Sequence, residues 1–372
     1  MTGGIELPIT YPHFGSLTYV FEIILRELGR TDVMLPKKPS RKTSELGSRY
    51  SPEFVCTPFK LTLGTFIEML DLGADELGIG GGNMYCRFGL YWPVQELILE
   101  DLGYDFKFVP IPIYDKPLGL VKSLQAESNN CTVWETIKAF RTTWIKTRYI
   151  ELVDELHFKY RTLELEKYQA DRLAAEAHRK VVEIQGLGNL RKYGKKLPEL
   201  FDKTIEIDRK KEKEALKIGV CGEIYVALEP TLNLDIHRKL NELGVITKNC
   251  VSFGMLIDFG RKINPFTTLP YQKARRVAKP YIGQRCGGEA QENIGDIILY
   301  KKKKWDGLVH LYPFTCMPEI ITRSIAPQVS KEYDMPFLSL VVDEQTGEAG
   351  YQTRLEAFVD LLKRKKEKKV AR

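Results

Sequence analysis

The chain has 372 residues, 43% of them hydrophobic, which is enough to bury two cores and excludes a disordered or fibrous protein. Its net charge of +7 sits mostly at one end. Lys363 to Arg372 hold seven basic residues and one acid, so the body is close to neutral, no nucleic-acid partner is implied, and the tail reads as a solvated, frayed terminus.

In chain order, Met1 to about Asn130 alternates apolar strands, Gly or Pro turns and amphipathic helices, the pattern of a parallel sheet with crossover helices. Leu120 to Gln185 contains neither Gly nor Pro, and Trp134, Ile137, Phe140, Trp144, Ile145, Tyr149, Leu152, Leu156 and Tyr160 recur at helical spacing. After the charged stretch Arg209 to Lys217, a strand at Ile218–Val220 opens a second alternating region that runs to a helix at Leu355–Leu362. Lys301 to Lys304 fall where a helix ends before the strand Gly307–Tyr312, and Phe337–Val342 reads as a further strand. The expected architecture is α/β: two Rossmann-like lobes with open, mostly parallel sheets, at 1–130 and 216–362, a helical insert at 131–215 and a basic tail at 363–372. No run of about 18 apolar residues and no basic-then-apolar leader are present, so a cytoplasmic protein with no membrane contact is expected.

Seven scattered cysteines without any Cys-Xaa-Xaa-Cys disfavour a disulfide framework, a zinc ribbon and a thioredoxin-type dithiol. "EMLDLGADELGIGGGNMYC" and "YKKKKWDGLVHLYPFTC" both read helix, acidic turn, apolar strand, short loop, cysteine, and end on Cys86 and Cys316. "SPEFVCTPFKLTLGTFIEML" puts Cys56 after an expected short strand, so all three thiols are expected beyond strand carboxyl ends, where open α/β sheets bind ligands. Three converging thiolates can hold a cubane cluster with one iron left open; buried thiols that merely fill core space are the alternative. Core packing is the reading for Cys131, Cys221 and Cys250, whereas Cys286, in the glycine-rich "GQRCGGEAQENIG", is open to a ligand role. "GIGGGN" lacks the full dinucleotide fingerprint and reads as a tight loop beside Cys86. His13, in "YPHFGSLTY", is a cap or surface-loop residue or a proton carrier. Glu223 and Glu229 flank an expected strand at Ile224–Leu228.

The segments "YPHFGSLTYVF", "YSPEFVCTPFKLTLGTFIE", "GGGNMYCRFGLY", "GEIYVALEPTLNLDIHRKLNELG", "PFTCMPEI" and "DEQTGEAGYQTRLEAFVD", in this order, resemble the 2-hydroxyacyl-CoA dehydratase and benzoyl-CoA reductase family, in its activase-related branch. That resemblance implies a [4Fe–4S] cluster on Cys56, Cys86 and Cys316. It also implies an ATP-hydrolysing activase, carrying its own cluster, that delivers one low-potential electron for use on an acyl-CoA thioester or related small molecule. A similar subunit in a homo- or heterodimer is expected on the same ground. Arg87, next to Cys86, becomes a candidate donor to a developing oxyanion. Met84 and Tyr85 stand where the family usually has Gly-Pro, and Glu289 stands where relatives tend to carry histidine, so Glu289 joins Arg87 and His13 as a candidate catalytic residue. Two alternatives keep the scaffold. One is a double-cubane [8Fe–9S] reductase recruiting further cysteines; the other is an electron-transfer or scaffold subunit whose cluster is closed by Cys286.

Overall fold

A computed structural model of the chain describes residues 8–82, 86–112, 117–126, 128, 131–252, 270–284 and 286–370. The fold is α/β, built on two all-parallel sheets, and it divides into two compact units, the described residues up to Thr147 and those from Arg148 onward.

In the first unit β1 (Ile9–Thr10), β2 (Glu76–Gly81) and β3 (Lys107–Pro112) lie in the order β1-β2-β3. Ile9 also bridges Val33 in parallel on its other side, so the chain runs outward from β1 once and then returns to add β2 and β3. Successive residues of β3 serve opposite faces, as a strand's two-residue period requires. Phe108 joins a core with helices Thr57–Leu70 and Tyr91–Asp101, while Val109 joins one with helices Thr18–Glu27 and Pro117–Ala126. With both faces covered, β2 is buried along its whole length, and its sequence "ELGIGG" shows no alternation of polar and apolar residues.

The second unit holds β4 (Leu216–Gly222), β5 (Val245–Asn249), β6 (Gly307–Pro313) and β7 (Phe337–Val342) in the order β5-β4-β6-β7. This is again a doubly wound order with its switch point between the first and third strands of the lobe. Helices Pro270–Ala278, Ala290–Lys302 and Met317–Glu332 pack on one face through Ile294, Ile297, Leu308 and Val329. The helical region expected from the apolar periodicity is present as Val133–Leu163, Gln169–Glu183 and Leu187–Thr204, whose core of Val153, Leu163, Leu173, Leu197 and Phe201 closes on Ile246 of β5. The unit boundary falls inside the first of these helices.

Three local expectations need correction. Ile224–Leu228 is a helix, because Glu223 turns the chain after β4 and its side chain accepts the Val226 N–H at 2.9 Å. The basic tail is helical as far as Val370, with 371–372 outside the described residues: the last helix runs Glu348–Val370, and Lys366 Nζ donates to the Glu214 carbonyl at 2.8 Å. No strand precedes Cys56; residues 51–55 form turns and bends between two helices. No helix among the described residues is long and apolar enough to cross a membrane.

Candidate functional site

The three cysteines singled out by sequence share one local device. Cys56, Cys86 and Cys316 each sit at a helix N-cap in extended backbone, ahead of Thr57–Leu70, of the 3-10 turn Arg87–Leu90 that leads into Tyr91–Asp101, and of Met317–Glu332. The positive end of a helix favours a thiolate over a thiol, so such positions suit metal ligation. Two of them are built from the same pattern, Phe-Xaa-Cys-Xaa-Pro, at Phe54 to Pro58 and Phe314 to Pro318. Proline in the first helical turn starts each helix with no lost hydrogen bond, and the preceding phenylalanines are exposed.

Cys86 and Cys316 occupy equivalent places in their lobes. Cys86 follows the end of β2, whose neighbour β1 leads to His13; Cys316 follows β6, whose neighbour β4 leads to Glu223. Each loop therefore opens at the switch point of its sheet, the crevice where this architecture binds ligands. Thr315, just before Cys316, has φ 68°, a left-handed conformation that costs a non-glycine residue roughly 1–3 kcal/mol and is a mark of functional loops. Opposite it, Gly222 has φ 133°, and a Cβ there would lie 1.9 Å from the Leu311 carbonyl oxygen, so the floor of this crevice admits only glycine.

Within the first unit, Cys56 and Cys86 belong to one corner. The Tyr91 hydroxyl lies 2.6 Å from Cys56 Sγ, and Arg87 Nη1 donates to the Phe54 carbonyl at 3.4 Å, tying the Cys56 loop to the segment that carries Cys86. The Cys56 loop is held from the other side by two helices in near-contact, since a Cβ on Gly64 would lie 2.0 Å from the Thr43 carbonyl oxygen. His13 is half-buried and accepts the Gly15 N–H on Nδ1 at 3.4 Å; Arg87 is exposed. Cys316 and Glu289 lie in the second unit.

The second switch point carries a group of acids that sequence reading resolved only in part. Glu289, half-buried at the start of helix Ala290–Lys302, makes no capping hydrogen bond. Loss of solvent around it, with the charges of Glu223, Glu319 and Glu292, holds its carboxyl well above the usual range. Glu223 is pushed up to about 7 by the same desolvation, against the backbone N–H groups of Val226 and Tyr225 that favour its charge. Glu319, fully buried, accepts from Asn293 Nδ2 at 2.8 Å and pairs with His310 Nε2 at 2.6 Å. Neither Glu319 nor His310 was singled out from sequence; an acid three residues past the cysteine in "CMPE" was the available signal.

The other cysteines are occupied in other ways. Cys131 Sγ donates to the Leu28 carbonyl at 3.2 Å. Cys221 is fully buried in β4, and desolvation raises its thiol and that of Cys250 well above the ordinary value. Cys286 is raised more modestly by burial and lies two residues before Gly288, which packs against Pro318 at the start of the Cys316 helix. No cysteine is in a disulfide, and among the described residues no three His, Cys, Asp or Glu side chains stand ready-made around a metal position. The chain matches no known family model and no curated protein.

Proposed function

We propose that this chain is an iron–sulfur protein of the 2-hydroxyacyl-CoA dehydratase type, holding a [4Fe–4S] cluster on Cys56, Cys86 and Cys316. An ATP-hydrolysing partner with its own cluster would reduce it, and an acyl-CoA or related small molecule would receive the electron. The observation that carries this reading is the repeated placement of cysteine at helix N-caps, twice at equivalent switch-point loops of two lobes with the same winding, and with Cys56 tied into the corner of Cys86. The donor set fits the group, because all three are thiols at helix starts, Cys56 and Cys316 buried and Cys86 half-buried, and the positive end of a helix suits a metal-ligating thiolate.

Such a cluster supplies a one-electron reductant whose potential is tuned by burial and by hydrogen bonds to sulfur. The protein's own residues do the rest. Tyr91 sets the Cys56 side chain through its hydroxyl, and Arg87 braces the Cys56 loop through the Phe54 carbonyl while remaining exposed for an incoming oxyanion. Glu289, whose carboxyl is raised well above its usual range by loss of solvent and neighbouring acids, is a proton donor at the second switch point where relatives tend to carry histidine.

Anaerobic reconstitution followed by iron and sulfide analysis tests the assignment. About four irons per chain are expected, falling sharply in Cys56→Ala, Cys86→Ala and Cys316→Ala and unchanged in Cys131→Ala. Full iron retention in Cys316→Ala would sink the ligand assignment; about eight irons would favour the double cubane instead. If the spectrum of the reduced protein is indifferent to added acyl-CoA, the electron-transfer alternative gains.

A further inference from the structure

Beneath the Cys316 loop runs a chain of hydrogen bonds that the proposed cluster does not require. Ser339, half-buried on the edge strand β7, lies 3.0 Å from Nδ1 of His310 on β6, and His310 Nε2 lies 2.6 Å from Glu319 Oε2. The imidazole is fully buried and hydrogen-bonded at both nitrogens, the arrangement in which a ring takes a proton on one side and releases one on the other. Glu319 then connects through Asn293 to the Gly222 N–H, at 2.8 and 3.1 Å, so the chain ends at the switch point between β4 and β6.

Two features argue against a purely structural role. Glu319 is the third residue of its helix, where an acid ordinarily reaches back to cap the preceding N–H. Here the Cys316 N–H goes instead to the Pro313 carbonyl at 3.1 Å, and the carboxylate is turned down onto His310. Its second oxygen, Oε1, is buried without a hydrogen-bond partner among the described residues, an uncompensated desolvation that leaves one acceptor position unused.

We propose that Ser339, His310 and Glu319 form a proton relay from the edge of the second sheet to its switch-point crevice, delivering a proton there when the site takes up an electron. This rests on the cluster reading above. On reduction solvent protonates His310 Nδ1 by way of Ser339 Oγ while His310 Nε2 passes its proton to Glu319 Oε2, where that proton balances the added electron; on reoxidation both transfers reverse, which returns the proton to solvent and restores the Nε2–H tautomer. The other titratable groups facing the relay are Glu223 after β4, Glu289 and Glu292 at the start of helix Ala290–Lys302, Cys221 on β4 and Cys286 in the preceding loop. Arg275 neutralises Glu292, and Arg323 lies over the ring of Tyr312, which stacks on His310. Glu319 is thus the group at which the relay meets the acids of the crevice.

The test uses the full chain in two arms. In reconstituted protein, the midpoint potential of the wild type should fall as pH rises, whereas Glu319→Gln and His310→Gln, at equal iron content, should lose that dependence and Ser339→Ala should slow proton uptake. A wild-type dependence that survives in Glu319→Gln overturns the relay and leaves the cluster assignment standing. In metal-free protein, infrared titration should reveal a carboxyl band that is absent in Glu319→Gln and displaced in His310→Gln. A band unmoved by His310→Gln overturns the relay whether or not iron binds, while failure to bind iron counts only against the cluster.

Discussion

Glu289 illustrates how the charge state of one side chain carries a stability cost. Its carboxyl is raised in the folded protein, so the native state holds more protons than the unfolded one from the ordinary carboxyl range up to the raised value. Whatever stability the protonated form contributes is therefore present at low pH and lost as pH rises. Glu289→Gln, neutral throughout, should raise the thermal midpoint relative to wild type at pH 8 and change it little at pH 5, as scanning calorimetry at the two pH values would reveal. At this scale the sequence placed Cys56 ahead of a helix and Cys316 beyond a strand, because proline and glycine mark helix starts and turns, although the strand expected before Cys56 is replaced by turns. It was silent on His310, which sits inside an apolar strand, where only the neighbouring strand and helix supply its partners.

Helices Arg41–Tyr50 and Thr57–Leu70 owe their closeness to two glycines facing one another's backbone, Gly47 against Lys60 and Gly64 against Thr43. The Thr43 hydroxyl adds a 2.5 Å hydrogen bond to Glu68, and the residues linking the two helices end on Cys56. Gly64→Ala should therefore cost about 3 kcal/mol through overpacking, measurable as a lowered urea midpoint, and should weaken iron retention by displacing the Cys56 loop. Elements were legible where period and punctuation agreed: Phe337–Val342 was expected with the bounds it has. They were not where tertiary partners replaced punctuation. The helical run breaks at 164–168 without Gly or Pro, because Glu164 caps the next helix by accepting the Tyr168 and Ala170 N–H groups at 2.9 and 2.8 Å, and Tyr168 takes φ 71°. The short apolar run Ile224–Leu228 fits strand or helix equally, and only the turn at Glu223 decides it.

Over the whole second unit, acid sensitivity is set where the helical region meets the sheet. His237 stacks on Phe158 at 3.8 Å, bonds Thr247 and Asn249 at 2.8 and 2.9 Å, and is pushed down to about 4 by burial; His157 is lowered too. Between pH 4 and 6.5 the unfolded chain binds the extra proton, so stability is full above this window and falls by up to about 3 kcal/mol on acidification through it. His237→Gln should lose less stability than wild type between pH 7 and 4.5, by urea unfolding at each pH. The two-lobe architecture was readable from sequence because strands and helices alternate with clear turns, whereas the basic tail misled. Local composition suggested fraying, yet its helix is held by Lys365 on Asp334, whose carboxyl it holds down to about 2.

Among the described residues neither sheet contains a hairpin, and every strand pair is parallel. The inner strand β4 has one partner within 30 residues, but its other edge waits for β6, since Lys217 N–H finds the Asp306 side chain 89 positions later. Until the ribosome has released that stretch, a strand apolar at every position but Lys217 presents an open row of amides and carbonyls. Slow folding and a demand for chaperone cover should follow from winding order alone.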